Sequence, residues 1–227
     1  MTIRWYGVLV LAFALPLTAG NAAAQGMDST YAGFTAVSLP ADGAIRSGAE
    51  AARADEQAAG REIDRLTDSR ARLDARLNVQ KADIDAIRSR ADLAKKDKRD
   101  ADRADLDFQR RRAEADRKTL EEIRSLFDDQ IAEMSAKREW ARARSRTADA
   151  ELALFRKRQE RASRATADST TLGKLDTEVR ELESRVLDAR KDESAKQADW
   201  ASRYRDTVSQ EMSVWRAQQA ARAVVRS

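Results

Sequence analysis

From Ser47 to the C-terminus the chain contains no proline and only three glycines, Gly48, Gly60 and Gly173; both prolines and the other five glycines come earlier. A stretch so poor in turn formers has few ways to build the tight connections of a sandwich or barrel. What fills it is mostly Ala, Arg, Asp, Glu, Leu and Lys, and all of these except Asp lose little on entering a helix. The sequence therefore predicts an all-α chain of long coiled-coil-like helices.

The apolar supply narrows this further. Leu, Ile, Val and Phe beyond residue 24 fall below the ~20% level at which a compact core becomes hard to enclose. The charged residues, 43 basic and 39 acidic for a net +4, are interspersed. That pattern describes solvated helix surface laced with local ion pairs, not a block that captures nucleic acid. Cysteine and histidine are both absent. Their absence excludes disulfides, thiolate nucleophiles, Cys-zinc sites, imidazole ligands and any Ser-His-Asp arrangement. Adjacent acids such as Asp128 and Asp129, or Asp83 with Asp85, would need a desolvating cleft to divide acid from base roles. Paired helices offer none. No nucleotide, metalloprotease or nucleophile-elbow motif occurs. The expectation is a non-enzyme with no catalytic, cofactor-binding or metal residues.

The first 24 residues read as a secretory signal peptide. Arg4 supplies the positive start, Trp5 through Ala19 the apolar run, and Ala22-Ala23-Ala24 a small-residue cleavage site. The run is shorter than the ~20 residues of a membrane span and is interrupted by Pro16. The mature protein is therefore expected in the periplasm or outside the cell, without a stable membrane span. Residues 25–46, with Gly26, Gly33, Pro40 and Gly43, read as a flexible linker.

Ser47 and Glu50 fit a capping box, which predicts a long helix over 47–165. Its apolar positions step in heptads through Ile63, Leu66, Leu73, Leu77, Ile84 and Ile87. The seam weakens beyond Ala94, where charged residues take core slots and an elbow near 97–104 is the alternative to a continuous helix. It resumes at Phe127 and Ile131. Asp168-Ser169-Thr170-Thr171 competes with helix through side-chain hydrogen bonds, so residues 166–171 read as a turn. A second helix follows over 172–225. Its stripe passes Val186 and then, through steps of four that mark stutters, Trp200, Tyr204 and Val208.

These positions are almost mirror-symmetric about residue 170. Trp140 answers Trp200, Phe155 falls near Val186, Ile131 near Val208 and Phe127 near Met212. The symmetry predicts an antiparallel helical hairpin in which 172–225 folds back on 120–165. Residues 48–118 then keep a seam with no partner in the chain, which predicts a homo-oligomer. The stretch from Lys137 to Arg164 has an excess of basic residues that would suit an anionic envelope polymer.

In export signal and in basic, alanine-rich helical composition the chain resembles the Skp/OmpH class of periplasmic chaperones. That resemblance implies envelope protein clients gripped between helical arms; the short strands of that class have no counterpart here. The leading expectation from the residues is an exported structural or interaction protein of the cell envelope. A holdase-type chaperone or adaptor is the alternative.

Overall fold

In a computed structural model the described residues, 36–226, form three helices: α1 (Asp42–Lys96), α2 (Asp100–Ser163) and α3 (Ser169–Arg226). Among the described residues there is no strand. The signal-peptide reading lies outside them, as does the first half of the linker. At the α-helical rise each helix is on the order of 80–100 Å long. α1 packs antiparallel along α2 and α2 antiparallel along α3, while α1 and α3 do not approach each other. The fold is all-α, and its C-terminal half is an antiparallel helical hairpin.

α1 begins at Asp42, five residues before the start expected at Ser47, so the end of the expected linker is helical. Ala41 is the N-cap, in the extended geometry usual at that position. The Ser47 hydroxyl donates to the Ala44 carbonyl instead of capping. The extra turn is held by packing: Ile45 and Ala49 are buried against Ala148, with Leu152 beside them. Burial outweighs the local cap.

The continuous helix expected over 47–165 is in fact two helices. α1 stops at Lys96 with Arg99 N–H donating to Ala94 O at 2.9 Å and Lys98 N–H to Lys95 O at 3.2 Å. Those bonds are the Schellman pattern, which normally places glycine at the left-handed position. Here Lys98 occupies it, with φ 57°. Arg99 braces the turn by donating to Asp97 at 3.0 Å and to Asp102 at 3.2 Å. Lys95 and Lys96 sit at the carboxyl end of α1, and Asp100 and Asp102 at the amino end of α2. Each complements the partial charge of its helix end. A turn without glycine or proline is built from charges.

The second turn falls at 164–168, slightly ahead of the 166–171 expected, because Asp168 caps α3. Its carboxylate accepts the Thr171 N–H and the Thr171 hydroxyl, both at 2.8 Å.

Candidate functional site

In such a fold the surfaces between helices and the side chains left outside them are where function can reside. On α1 a seam of Ile45, Ala49, Ala52, Ala59, Leu66, Leu73, Ile84, Ala91 and Ala94 is buried. Leu66 and Leu73 lie in its core, with Ile63 and Leu77 half-buried beside them. Small residues dominate, so α1 can lie close to α2 while burying little apolar area. The arm that the sequence leaves without a partner thus has one in its own chain.

Ion pairs fix the register of this interface. Asp55 meets Arg144 at 2.8 Å, Glu56 meets Arg142 at 2.7 Å, Asp74 meets Arg124 at 2.7 Å and Arg88 meets Glu114 at 2.9 Å. All lie nearly symmetric about Arg99. On the other side of α2, Arg146 pairs with Asp192, Lys157 with Glu178, Arg158 with Glu183 and Arg161 with Asp176. The basic run from Lys137 to Arg164, read from sequence as a surface for an anionic polymer, is largely engaged by the acids of α1 and α3. Asp176, which stands four residues from Arg180 on its own helix, reaches Arg161 of α2 instead.

The hairpin has one aromatic centre. Trp140 and Trp200 stack with ring centroids 5.0 Å apart and planes inclined by 7°, and the Arg144 guanidinium lies 5.1 Å from the Trp140 ring centre. Such stacking and cation–π contact add to the apolar area buried. Phe127, Ile131 and Phe155 are half-buried along α2, and Val186 is fully buried on α3.

Tyr204 and Val208 depart from the expectation. Both are exposed, as is Met212, so these side chains lie outside the buried seam that the mirror symmetry predicts. The α3 seam makes no stutter. It keeps strict heptads through Val186, Glu193, Trp200, Thr207 and Val214, with Gln210 between the last two and Ala217 beyond them. Each step of four residues turns an α-helix by about 40° beyond a full rotation, so Tyr204, Val208 and Met212 drift progressively out of the seam. Two polar residues at seam positions, Thr207 and Gln210, have partners: the Thr207 hydroxyl donates to the Arg203 carbonyl at 3.2 Å. Gln210 donates to the Glu122 carboxylate at 2.9 Å and to the Glu122 carbonyl at 3.2 Å.

Two carboxyls of α2 face this polar stretch. Glu133 is 7% exposed, and burial pushes its carboxyl above the ordinary range. The Thr207 hydroxyl and the Trp200 indole oppose that shift, as does Lys137, while Glu211 adds to it. The indole N–H of Trp200 still closes no hydrogen bond within ordinary limits. Asp129 is raised as well, by burial first and then by Asp206 and Asp128, with Arg203 opposing. Its neighbour Asp128 is taken by Arg70 of α1. These acids are lodged in helix interfaces.

The segment before α1 forms a strap. Val37 and Leu39 are half-buried between exposed neighbours, the alternation of an extended chain. The Ser38 carbonyl accepts from Arg190 of α3 at 2.8 Å, and the same guanidinium holds Glu151 of α2. Sequence reading treated these residues as linker; their period-two alternation was the available signal.

Among the described residues no group of acids is placed to hold a metal ion, and no helix is long and apolar enough to cross a membrane. An open cleft between α1 and α2, bordered by Leu77, Lys81, Arg117, Glu121 and Arg124, mixes both signs of charge. Comparison with protein-family models, with curated proteins and with solved structures finds no match.

Proposed function

We propose that this is an exported structural or interaction protein of the cell envelope, acting as a helical spacer or scaffold through its long paired helices. The observation that carries the reading is the use made of the side chains. Charged and small residues are spent on holding α2 against α1 and α3 along most of its length. Export is supported by the order of charged, apolar and small residues in the first 24 positions.

A holdase needs apolar arms that stay open until a client arrives. The α1 seam is covered by α2 within the chain, which favours the scaffold over the chaperone. The same covering removes the unpartnered arm as a reason for homo-oligomerisation. Sedimentation combined with small-angle scattering tests the proposal, together with mass spectrometry of the N-terminus from the producing cell. An elongated, folded particle beginning at or near Gln25 and indifferent to unfolded envelope proteins is expected. A chain that starts at Met1 and needs detergent for extraction removes the export half. Tight, reversible capture of unfolded outer-membrane proteins replaces the scaffold with the holdase.

A further inference from the structure

Most exposed large apolar side chains of a protein stand singly and need no explanation. Val79, Leu93 and Leu187 are of that kind here. Tyr204, Val208, Met212 and Trp215 are not, being 54, 42, 49 and 54% exposed along one stripe of α3. By helical geometry the stripe lies roughly a third of a turn from the seam facing α2, so α2 leaves it uncovered.

The spacing within the stripe is that of a coiled-coil seam. Met212 follows Val208 at a step of four, Trp215 follows at three, and Gln219 at four again. In heptad terms Val208 and Trp215 take the d position, Met212 and Gln219 the a position. Tyr204 carries the apolar side one turn further back. Arg205 and Arg222 hold the next core slots on either side, and so limit the seam to the stretch between them.

The flanking charges select how two such seams can face. Glu211 stands at g and Arg216 at the following e, on opposite sides of the stripe. In a parallel pair, g of one helix meets the following e of the other, so Glu211 of each copy faces Arg216 of the other copy. An antiparallel pair sets g against g and e against e. That arrangement brings Glu211 towards its own copy and Arg216 towards Arg205, and like charges facing across helices are destabilising. An anionic surface would suit Arg216 but be opposed by Glu211. Among the described residues neither Glu211 nor Arg216 has an ion-pair partner in its own chain. Only the parallel self-pairing satisfies the stripe and both of its flanks.

We propose that α3 pairs in parallel with α3 of a second copy along Val208, Met212 and Trp215, with Glu211 of each chain on Arg216 of the other. Stripe and flanks together would bury on the order of 1,000 Å² in the pair, the size of a weak, reversible contact. The dimer is therefore concentration-dependent. Pairing depends on neither export nor the scaffold role, so it stands apart from both.

The test is sedimentation equilibrium of the chain as its producing cell makes it, from about 5 to 500 μM, the range suited to a contact of this size. A monomer–dimer equilibrium is expected. Met212→Glu should weaken it by about tenfold or more, because two carboxylates then meet in the seam. Glu211→Arg should weaken it about tenfold by facing Arg216, and an equal mixture with Arg216→Glu should restore it. Gln219→Cys places one cysteine in a chain that has none, and mild oxidation should join two copies through it. An antiparallel pair centred between Val208 and Met212 would hold those two cysteines roughly 27 Å apart along the axis. Circular dichroism checks the fold, and Met212→Gln serves if Met212→Glu does not fold. A chain still monomeric at the highest concentration overturns the proposal, whether or not phosphatidylglycerol vesicles capture it. A dimer indifferent to the changes at Met212 and Glu211 overturns it as well, and so does one that Gln219→Cys fails to cross-link.

Discussion

Arg190 of α3 lies 2.6 Å from a carboxylate oxygen of Glu151 on α2, and the Glu151 side chain is only 11% exposed. The same guanidinium donates to the Ser38 carbonyl of the strap. One side chain thus joins three segments that are far apart in sequence. Removing one partner of a buried pair costs more than the pair is worth, because the remaining charge is stranded. Arg190 itself is 37% exposed, which tempers the effect through solvent screening. Arg190→Ala should lower the unfolding free energy by about 2 kcal/mol. Denaturant titration should find Arg190→Ala together with Glu151→Leu less harmful than Arg190→Ala alone.

The elbow carries a cost that can be removed. A left-handed conformation costs a residue with a side chain roughly 1–2 kcal/mol relative to the right-handed one, and glycine escapes most of it. Lys98 is the residue so placed. Lys98→Gly is expected to stabilise the chain by up to ~1 kcal/mol, after the greater freedom glycine brings to the unfolded state. Lys98→Val should destabilise it. Thermal unfolding of the two variants checks the sign, and an identical midpoint for both would refute the strain.

How far the fold could be read follows from what kind of signal each part left. The Trp140–Trp200 pairing was legible because large side chains at matched distances from a turn have few other uses. The turn at Asp168 was legible through its hydroxyls and carboxylate. The elbow was only half legible: its charged run was visible, but a Schellman turn with lysine in place of glycine carries no sequence marker. The α3 register was misread beyond Trp200 because apolarity was followed. Thr207 and Gln210 hold the seam, while the larger Tyr204, Val208 and Met212 face outward. A seam made of polar and small side chains is invisible to a search for greasy ones.

The buried carboxyl of Glu133 gives the hairpin a pH dependence of definite sign. Its folded-state pKa is raised above the ordinary value, so the folded chain binds the proton more readily than the unfolded chain. Its contribution is fully present below the ordinary glutamate range and is lost as pH rises through the raised value. Asp129 shifts the same way. Asp168 shifts down, because it accepts the Thr171 N–H and hydroxyl, so its cap weakens only as pH falls through that lowered value. Lowering pH from neutral towards the ordinary glutamate range should therefore raise the melting temperature. Glu133→Gln should melt higher than the parent at neutral pH and flatten that slope. A parent that loses stability steadily from neutral downward would contradict the assignment.

Gly48 and Gly60 lie inside α1 and Gly173 inside the first turns of α3, and an added Cβ at any of them meets nothing within 4 Å. No close approach explains them. Alanine at Gly48 or Gly60 should stabilise the chain by ~0.5–1 kcal/mol each. The double variant should be nearly additive, since the sites lie three turns apart. Midpoints of urea unfolding at unchanged slope provide the measure.

The α3 register makes the sharpest forecast about the hairpin. If Trp200, Thr207 and Val214 face α2 while Tyr204 and Val208 face outward, truncation on the two stripes must differ in kind. Trp200→Ala removes half of the aromatic stack and should cost ~3 kcal/mol. Val186→Ala should cost ~1–3 kcal/mol as a fully buried valine. Tyr204→Ser and Val208→Ser lie on the exposed stripe and should stay within about 0.5 kcal/mol. The readout is equilibrium unfolding of the four single variants. A large loss at Tyr204 and Val208 with a small one at Trp200 would mean that the helix is rotated towards the greasy stripe, and the heptad seam described for α3 would fall with it.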